Sequence, residues 1–216
     1  MANTCLKINS LNVRGIRNEK KRKTMFRWLK SNYKGFALLQ ETHSTVECET
    51  EWIKDWGNDI LFSHGTNNSK GVAILFDKSI DLEINEIVRD DLGRFLMVDM
   101  VLENRPIILC NIYAPTIDRP QNQVLFYQYM KEQLERFIDR EMIIGGDFNV
   151  CLDPNKDRFG SNRQQNLSTS KYLLDMMEEL KLLDIWRVLN ENEKRFTWRG
   201  TTKAGNVHFS TMRSVQ

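Results

Sequence analysis

The sequence of 216 residues has few cysteines and no pairing pattern among them. Its four cysteines lie far apart without a Cys-x-x-Cys pair, and three of them stand in or beside apolar runs. This distribution argues against a disulfide framework and predicts reduced, buried thiols in an intracellular protein.

Long apolar runs are also absent, as is a strong charge of either sign. No run approaches the roughly 20 apolar residues of a membrane span, and the N-terminus lacks the charged and then apolar pattern of a secretory signal. The 31 Lys and Arg residues nearly balance 29 Asp and Glu residues, so the net charge of +2 neither requires nor excludes a polyanionic partner. We therefore expect a soluble nuclear or cytoplasmic protein that does not bind membranes.

What the sequence does contain is enough apolar residues for a sizeable core, arranged in short segments. With 41% hydrophobic residues, the chain has the size and composition of one domain. Short apolar or alternating segments separated by Asn, Gly, Asp and Pro predict many strands, and apolar residues at helical spacing predict helices near 19–30, 121–139 and 170–180. Many strands with several helices predict an α/β sandwich.

Two carboxylates follow apolar runs that are predicted to be buried strands. Asp147 and Asn149 come directly after the segment 142–146, whose two glycines allow a sharp turn and a close approach to a ligand. Glu41 follows another apolar run, at 36–39. Either carboxylate alone would be read as a turn residue or a helix cap. Together they predict one shared site for a metal ion or a phosphate.

The segments at four predicted strand ends carry a resemblance to a known group of enzymes. In combination and order they resemble the metal-dependent exonuclease, endonuclease and phosphatase superfamily, which includes exodeoxyribonuclease III and the abasic-site endonucleases. Further segments at 63–66, 71–76, 184–187 and 196–198 resemble more closely the endonuclease domain of LINE-type (non-LTR) retrotransposons. The resemblance spans about Lys7 to Trp198. The strand-end segments are Leu11-Asn12-Val13-Arg14-Gly15, Gln40-Glu41-Thr42-His43, Asn111-Ile112-Tyr113-Ala114-Pro115 and Gly146-Asp147-Phe148-Asn149.

The resemblance implies a fold and a division of the chain. We expect an α/β fold, a four-layer α/β/β/α sandwich of two mixed sheets flanked by helices, with the last strands missing. Residues 1–198 would form an incomplete endonuclease/exonuclease/phosphatase domain, and residues 199–216 a divergent C-terminal tail.

The resemblance also implies roles for five residues and a cofactor. The function would be magnesium-dependent hydrolysis of phosphodiester bonds in DNA, with Mn²⁺ as a substitute ion. Glu41 would be the principal metal ligand with Asn12 nearby, since hard cations seek oxygen ligands. Asp147 would orient or deprotonate the attacking water, and Asn149 would support that water or the phosphate by hydrogen bonds. Both residues are also candidate metal ligands. Tyr113 would donate its phenolic proton to a phosphate oxygen, although on local grounds its hydroxyl could equally face water.

We expect a monomer without an obligate protein partner. Its contacts with DNA would come from residues in the loops. The candidates are Arg14, Arg17, His43 and Arg158. The basic run 20–23 is interpreted first as a solvated helix face and second as a phosphate-binding patch. Arg14 stands where abasic-site repair enzymes carry an acidic residue, which argues against abasic-site repair specifically.

The C-terminal segment departs from the pattern of the superfamily. Relatives carry a Ser-Arg-Ile-Asp segment and a final Ser-Asp-His after the Phe-Thr-Trp position, and this sequence has neither, so His208 is given no catalytic role. Losing a positioned acid or base costs roughly 10²- to 10⁴-fold in rate. We therefore expect impaired catalysis by a fragment or degenerate copy. A non-catalytic nucleic-acid-binding remnant and a phosphatase of the same superfamily stay open as alternatives.

Overall fold

The computed structural model describes residues 7–32, 34–116, 120–159, 167–194, 197–201 and 207–210. The chain divides into two compact units, the first formed by residues 1–113 and 140–147 and the second by residues 114–139 and 148–216. The first unit contains the strands β1 (Lys7–Asn12), β2 (Gly35–Gln40), β3 (Ile60–Ser63), β4 (Val72–Phe76), β5 (Leu82–Arg89), β6 (Phe95–Leu102), β7 (Arg105–Tyr113) and β8 (Glu141–Asp147). Its helices are α1 (Glu19–Asn32) and α2 (Glu49–Trp56), which follows a single 3₁₀ turn at Val46–Cys48.

The first unit has two mixed sheets. One sheet has the order β1-β2-β4-β3, in which β1 runs parallel to β2 and the other neighbours are antiparallel. The second has the order β5-β6-β7-β8, in which only the β7–β8 pair is parallel. The predicted α/β fold with two mixed sheets and flanking helices is confirmed.

The apolar strand β2 shows how the sheets are held together. Successive side chains of a strand point to opposite faces, and here each face is buried. Phe36 and Leu38 join β4, β6 and β7 in a core between the two sheets. Ala37 and Leu39 instead join the core beneath α1 and α2. The two helices therefore cover the outer face of the first sheet.

The basic run at the start of α1 is largely occupied by contacts within the protein. Arg22 is only 1% exposed and forms ion pairs with Asp55 and Glu51. The Nζ of Lys21 donates hydrogen bonds to the backbone oxygens of Val13, Arg14 and Gly15, at 2.7, 3.0 and 2.7 Å. The buried Arg22 departs from the solvated helix face that the sequence suggested first, whereas Lys21 is exposed as expected. They fasten α1 to α2 and to the loop after β1.

The second unit combines helices with a small antiparallel sheet. Its helices are α3 (Pro120–Glu135), α4 (Pro154–Asp157), α5 (Leu167–Glu179) and α6 (Ile185–Leu189), and α3 lies against α5. Its strands are β9 (Arg158–Phe159), β10 (Trp198–Thr201) and β11 (Val207–Ser210), in the order β10-β11-β9. The segment predicted to be a divergent tail from residue 199 thus contributes most of β10 and all of β11. Within the described part of the chain, no helix is long and apolar enough to cross a bilayer.

A buried polar network connects the two sheets where the parallel strands end. Asn111 of β7 is fully buried, and its Nδ2 donates to the backbone oxygens of Leu39 and Ala73 at 3.0 and 2.8 Å. Its Oδ1 accepts a hydrogen bond of 2.8 Å from Nε2 of Gln40. Such bonds fix the register of one sheet against the other, because an unsatisfied buried amide is costly.

Replacing Asn111 with alanine is therefore expected to lower the free energy of unfolding by about 2–4 kcal/mol, because Gln40 and two carbonyls lose a buried partner. Urea unfolding followed by circular dichroism measures this difference. The exposed Asn67 offers a matched control, and Asn67→Ala should change stability by no more than about 0.5 kcal/mol. Equal effects of the two substitutions would contradict a role for the network in stability.

Candidate active site

Four of the predicted site residues lie at the ends of strands in the first unit. Asn12 and Tyr113 are the last residues of β1 and β7, Asp147 is the last residue of β8, and Glu41 follows β2 directly. Tyr113 pairs with Asp147 in the parallel register, and Asn12 pairs with the residue before Glu41. Because β1 also packs beside β8, the carboxyl ends of both parallel pairs meet at one edge of the unit.

The side-chain amide of Asn12 connects the two carboxylates. Its Nδ2 donates to Oε1 of Glu41 at 2.8 Å and to Oδ2 of Asp147 at 3.0 Å. Its Oδ1 accepts a hydrogen bond of 3.2 Å from the backbone nitrogen of Arg14, which fixes the orientation of the amide. The two carboxylates suggested by the sequence are therefore brought to a single point.

Tyr113 lies beside this pair of carboxylates. Burial raises the pKa of the phenol well above its ordinary value, and the hydrogen bond to Glu41 and the negative charge of Glu41 raise it further. The guanidinium of Arg94 opposes this shift: it lies 4.9 Å above the ring, and its Nη1 donates to the Tyr113 backbone oxygen at 2.9 Å. The phenol consequently keeps its proton near neutral pH and can act as a hydrogen-bond donor.

Backbone strain is concentrated in the loops that carry this site. Arg14, Glu41 and His43 have φ angles of +48°, +52° and +58°, a region that residues other than glycine seldom adopt. Such conformations cost about 1–3 kcal/mol each and persist where surrounding contacts enforce them. The backbone nitrogen of Gly15 donates to the backbone oxygen of Glu41 at 2.7 Å. Lys21 of α1 donates to the backbone oxygen of Gly15 in the same loop. These contacts hold Asn12 and Glu41 side by side.

The donor set suits a hard divalent cation. Glu41 is half-buried and Asp147 is only 5% exposed, and both offer carboxylate oxygens next to the Asn12 amide. Among the residues that the structure describes, no three His, Cys, Asp or Glu side chains form a cluster that could hold a metal ion alone. Magnesium does not need such a cage, since it is commonly bound by one or two carboxylates with water and substrate phosphate.

Asn149 belongs to the second unit, unlike the other four residues. Its φ angle is +48°, and its Nδ2 donates to the backbone oxygen of Ala114 at 2.8 Å. Its own backbone oxygen accepts a hydrogen bond of 3.0 Å from Gln123. The amide group is therefore held by the start of the segment that leads into α3.

Three of the four predicted DNA-binding residues lie in the loops around Asn12 and Glu41. Arg14 and Arg17 are exposed, and Nη1 of Arg17 donates to the His43 oxygen at 3.3 Å and to Oγ1 of Thr45 at 3.0 Å. His43 is half-buried, and burial lowers the pKa of its imidazole, against the raising effect of Glu41. Arg158 lies apart from them along the chain, in β9 of the second unit, where its backbone pairs with Ser210.

Residues that support the site were not identified from the sequence. Lys21 braces the loop after Asn12, Gln40 and Asn111 form the buried network beneath Glu41, and Arg94 lies over Tyr113. For Gln40 and Asn111 a signal was present, since a polar residue near the end of an apolar strand must find a buried partner. For Lys21 and Arg94 no local pattern marks the contact.

Comparisons with known proteins show the family of the chain and its fold. The Endonuclease/Exonuclease/phosphatase family matches the chain over residues 9–213. A curated relative, described as "Transposon TX1 uncharacterized 149 kDa protein" of Xenopus laevis, is 31% identical over 89% of this chain, which spans only 14% of that relative's length.

Solved structures show the same fold at low sequence identity. An AP endonuclease from Archaeoglobus fulgidus has a TM-score of 0.69 at 20% identity, with 96% of this chain and 87% of that chain covered. The AP endonuclease LMAP from Leishmania major has a TM-score of 0.75 at 16% identity, with 95% and 79% covered. From the match over residues 9–213, the chain belongs to the Endonuclease/Exonuclease/phosphatase family.

Proposed function

We propose that this chain is a magnesium-dependent phosphodiesterase that cleaves DNA strands internally, as expected of a retrotransposon-type endonuclease. The observation that carries the proposal is the Asn12 amide, which joins Glu41 and Asp147 at 2.8 and 3.0 Å beside the phenol of Tyr113. Membership of the family supports this chemistry, and the likeness to a transposon protein supports the retrotransposon type.

The roles follow from the chemistry of each side chain. Glu41 would hold the ion, Mg²⁺ or Mn²⁺, through its carboxylate oxygens, with Asn12 beside it to hold the ion or the phosphate. When bound, the ion supplies positive charge that stabilises the charge developing on the phosphate. Asp147 accepts a proton from the attacking water, and Asn149 orients that water or the phosphate through its amide. Tyr113 donates its phenolic proton to a phosphate oxygen, where the negative charge increases.

Positive charge around the site supports a polyanionic substrate. Arg14 and Arg17 are exposed on the loop between β1 and α1, within a few residues of Asn12. Cations in this position attract a phosphate backbone and orient it without reading its sequence. His43 and Arg158 are proposed to assist, the first from the loop that carries Glu41. A DNA strand fits this arrangement better than an isolated small phosphate ester, because the charge extends beyond the site.

Glu41→Gln is expected to weaken the binding of Mn²⁺, which serves as a probe for Mg²⁺, by about tenfold or more. Substitutions of residues that only support metal ligands already reduce metal affinity on this scale. Isothermal titration measures the affinity, and relaxation of supercoiled plasmid measures cleavage, which EDTA should stop in the wild type. Glu103→Gln is a matched control, because Glu103 is exposed and has a similar φ angle of +49°. Unchanged Mn²⁺ affinity in Glu41→Gln would refute the assignment of the metal site.

Asp147→Asn is expected to lower the rate of plasmid nicking by about 10²- to 10⁴-fold, as for loss of a general base. A panel of inositol phosphates and 3′-phosphorylated oligonucleotides distinguishes a strand-cleaving enzyme from a phosphatase. Release of inorganic phosphate without nicking would replace the endonuclease assignment with a phosphatase assignment.

Tyr113→Phe should reduce kcat for nicking by about 10- to 100-fold while leaving Mn²⁺ affinity within about twofold, because the phenol acts on the phosphate and not on the ion. Tyr172→Phe, which removes a phenol from α5 in the second unit, serves as the control. A loss of metal affinity equal to the loss of kcat would show that Tyr113 acts only by supporting Glu41.

A further inference from the structure

A groove along the outer side of α1 has no part in the proposed chemistry. It has a volume of about 600 Å³ and is lined by Asn18, Lys20, Lys21, Thr24, Met25 and Trp28. Trp28 is 46% exposed, although tryptophan is usually buried in a core. Lys20, Thr24 and Trp28 are spaced by four residues and so share one face of the helix. A large aromatic ring is thus presented to solvent in line with a cation.

The charge balance of α1 leaves an excess on this side of the helix. The helix has six basic residues and one acidic residue. Five of the six basic side chains are held by ion pairs, backbone oxygens or an aromatic ring: Lys21, Arg22, Lys23, Arg27 and Lys30. Lys20 and Arg27 are exposed, and neither forms a salt bridge with any residue that the structure describes. The hydrogen bonds of Arg27 stay within α1, to the Lys23 backbone oxygen at 3.2 Å and to Oγ1 of Thr24 at 3.4 Å, so both side chains keep exposed positive charge near Trp28.

The groove begins beside the loop that carries Asn12. Lys21, which lines the groove, donates its Nζ hydrogen bonds to the backbone oxygens of Val13, Arg14 and Gly15. Asn18, at the same end, accepts a hydrogen bond of 2.9 Å from the Lys21 backbone nitrogen. With about 1.5 Å of rise per residue, Trp28 lies about 10 Å further along the helix than Lys21. A strand leaving the proposed site could reach Trp28 within a few nucleotides.

We infer that this face of α1 binds an unpaired segment of a nucleic-acid strand, with Trp28 as the stacking platform for a base and Lys20 and Arg27 as phosphate contacts. A positively charged groove with an aromatic side chain on which a base can stack is the combination that binds single strands without sequence preference. Bases within a duplex do not offer a free face for stacking, so the site selects unpaired strands. The inference rests on the proposed function in one respect, that the substrate is a polynucleotide. Binding at α1 requires neither the metal ion nor cleavage.

The test measures fluorescence anisotropy of labelled dT15, rU15 and a duplex of equal length, in EDTA so that no hydrolysis occurs. Wild type should bind dT15 more tightly than the duplex. Trp28→Ala should weaken binding of dT15 by about 5- to 100-fold, the scale of one base–aromatic stack, whereas Trp28→Phe should retain most of the affinity. Comparison of dT15 with rU15 shows whether the strand bound is DNA or RNA.

Lys20→Gln and Arg27→Gln should each weaken binding and reduce the slope of log affinity against log salt by about 0.7, the value for one phosphate contact on a single strand. Lys54→Gln, which removes an exposed lysine from α2, should leave the slope unchanged. Because this binding is measured in EDTA, it needs neither the metal ion nor cleavage, so a failure of the metal-site proposal stays distinguishable.

Wild-type affinity for dT15 in Trp28→Ala would overturn the inference, provided that its circular dichroism spectrum matches the wild type. So would equal affinity of the wild type for dT15 and the duplex. A third outcome would also overturn it: no binding of dT15, together with concentration-dependent self-association in sedimentation experiments that is lost in Trp28→Ala. That result would assign the groove to a protein partner.

Discussion

The two hydrogen bonds donated by the Asn12 amide are the interaction on which the proposed site depends. An amide nitrogen has two protons, and here each is donated to a carboxylate, one that follows the first sheet and one at the end of the second. Two carboxylates this close repel each other unless a donor or a cation lies between them. Asn12 supplies the donor, so Glu41 and Asp147 can remain side by side.

This arrangement is possible only because the two sheets approach each other closely beneath it. A Cβ atom added to Gly145 would lie 2.4 Å from Cδ1 of Leu38, so a side chain at this point of β8 would force the Leu38 side chain of the first sheet to move. Asn111 then binds two backbone oxygens of the first sheet from within the second. Small residues and a satisfied polar network thus fix the distance and the register that the Asn12 hydrogen bonds need.

Much of the fold and of the site could be predicted from the sequence, because the relevant signals are local. Period-two and helical spacing of apolar residues identified the strands and the longer helices, and the helix predicted at 19–30 is observed at Glu19–Asn32. Side chains that directly follow buried strands must lie at a sheet edge, and this rule predicted that Glu41 and Asp147 form a pair. The ordered strand-end segments identified the family, and the match over residues 9–213 confirms it.

The sequence by itself therefore determined the elements and the family, and it predicted the residue types of the candidate site. Only the tertiary structure decided which partners the polar side chains have, because those contacts join residues distant in the chain. Within one basic run, Lys21 binds loop carbonyls, Arg22 is buried against Asp55, and Lys20 stays exposed. Helical periodicity cannot predict these different contacts, since they depend on the loop and helix that pack nearby. The same limit left Asn111 unrecognised, because its partners belong to a different sheet.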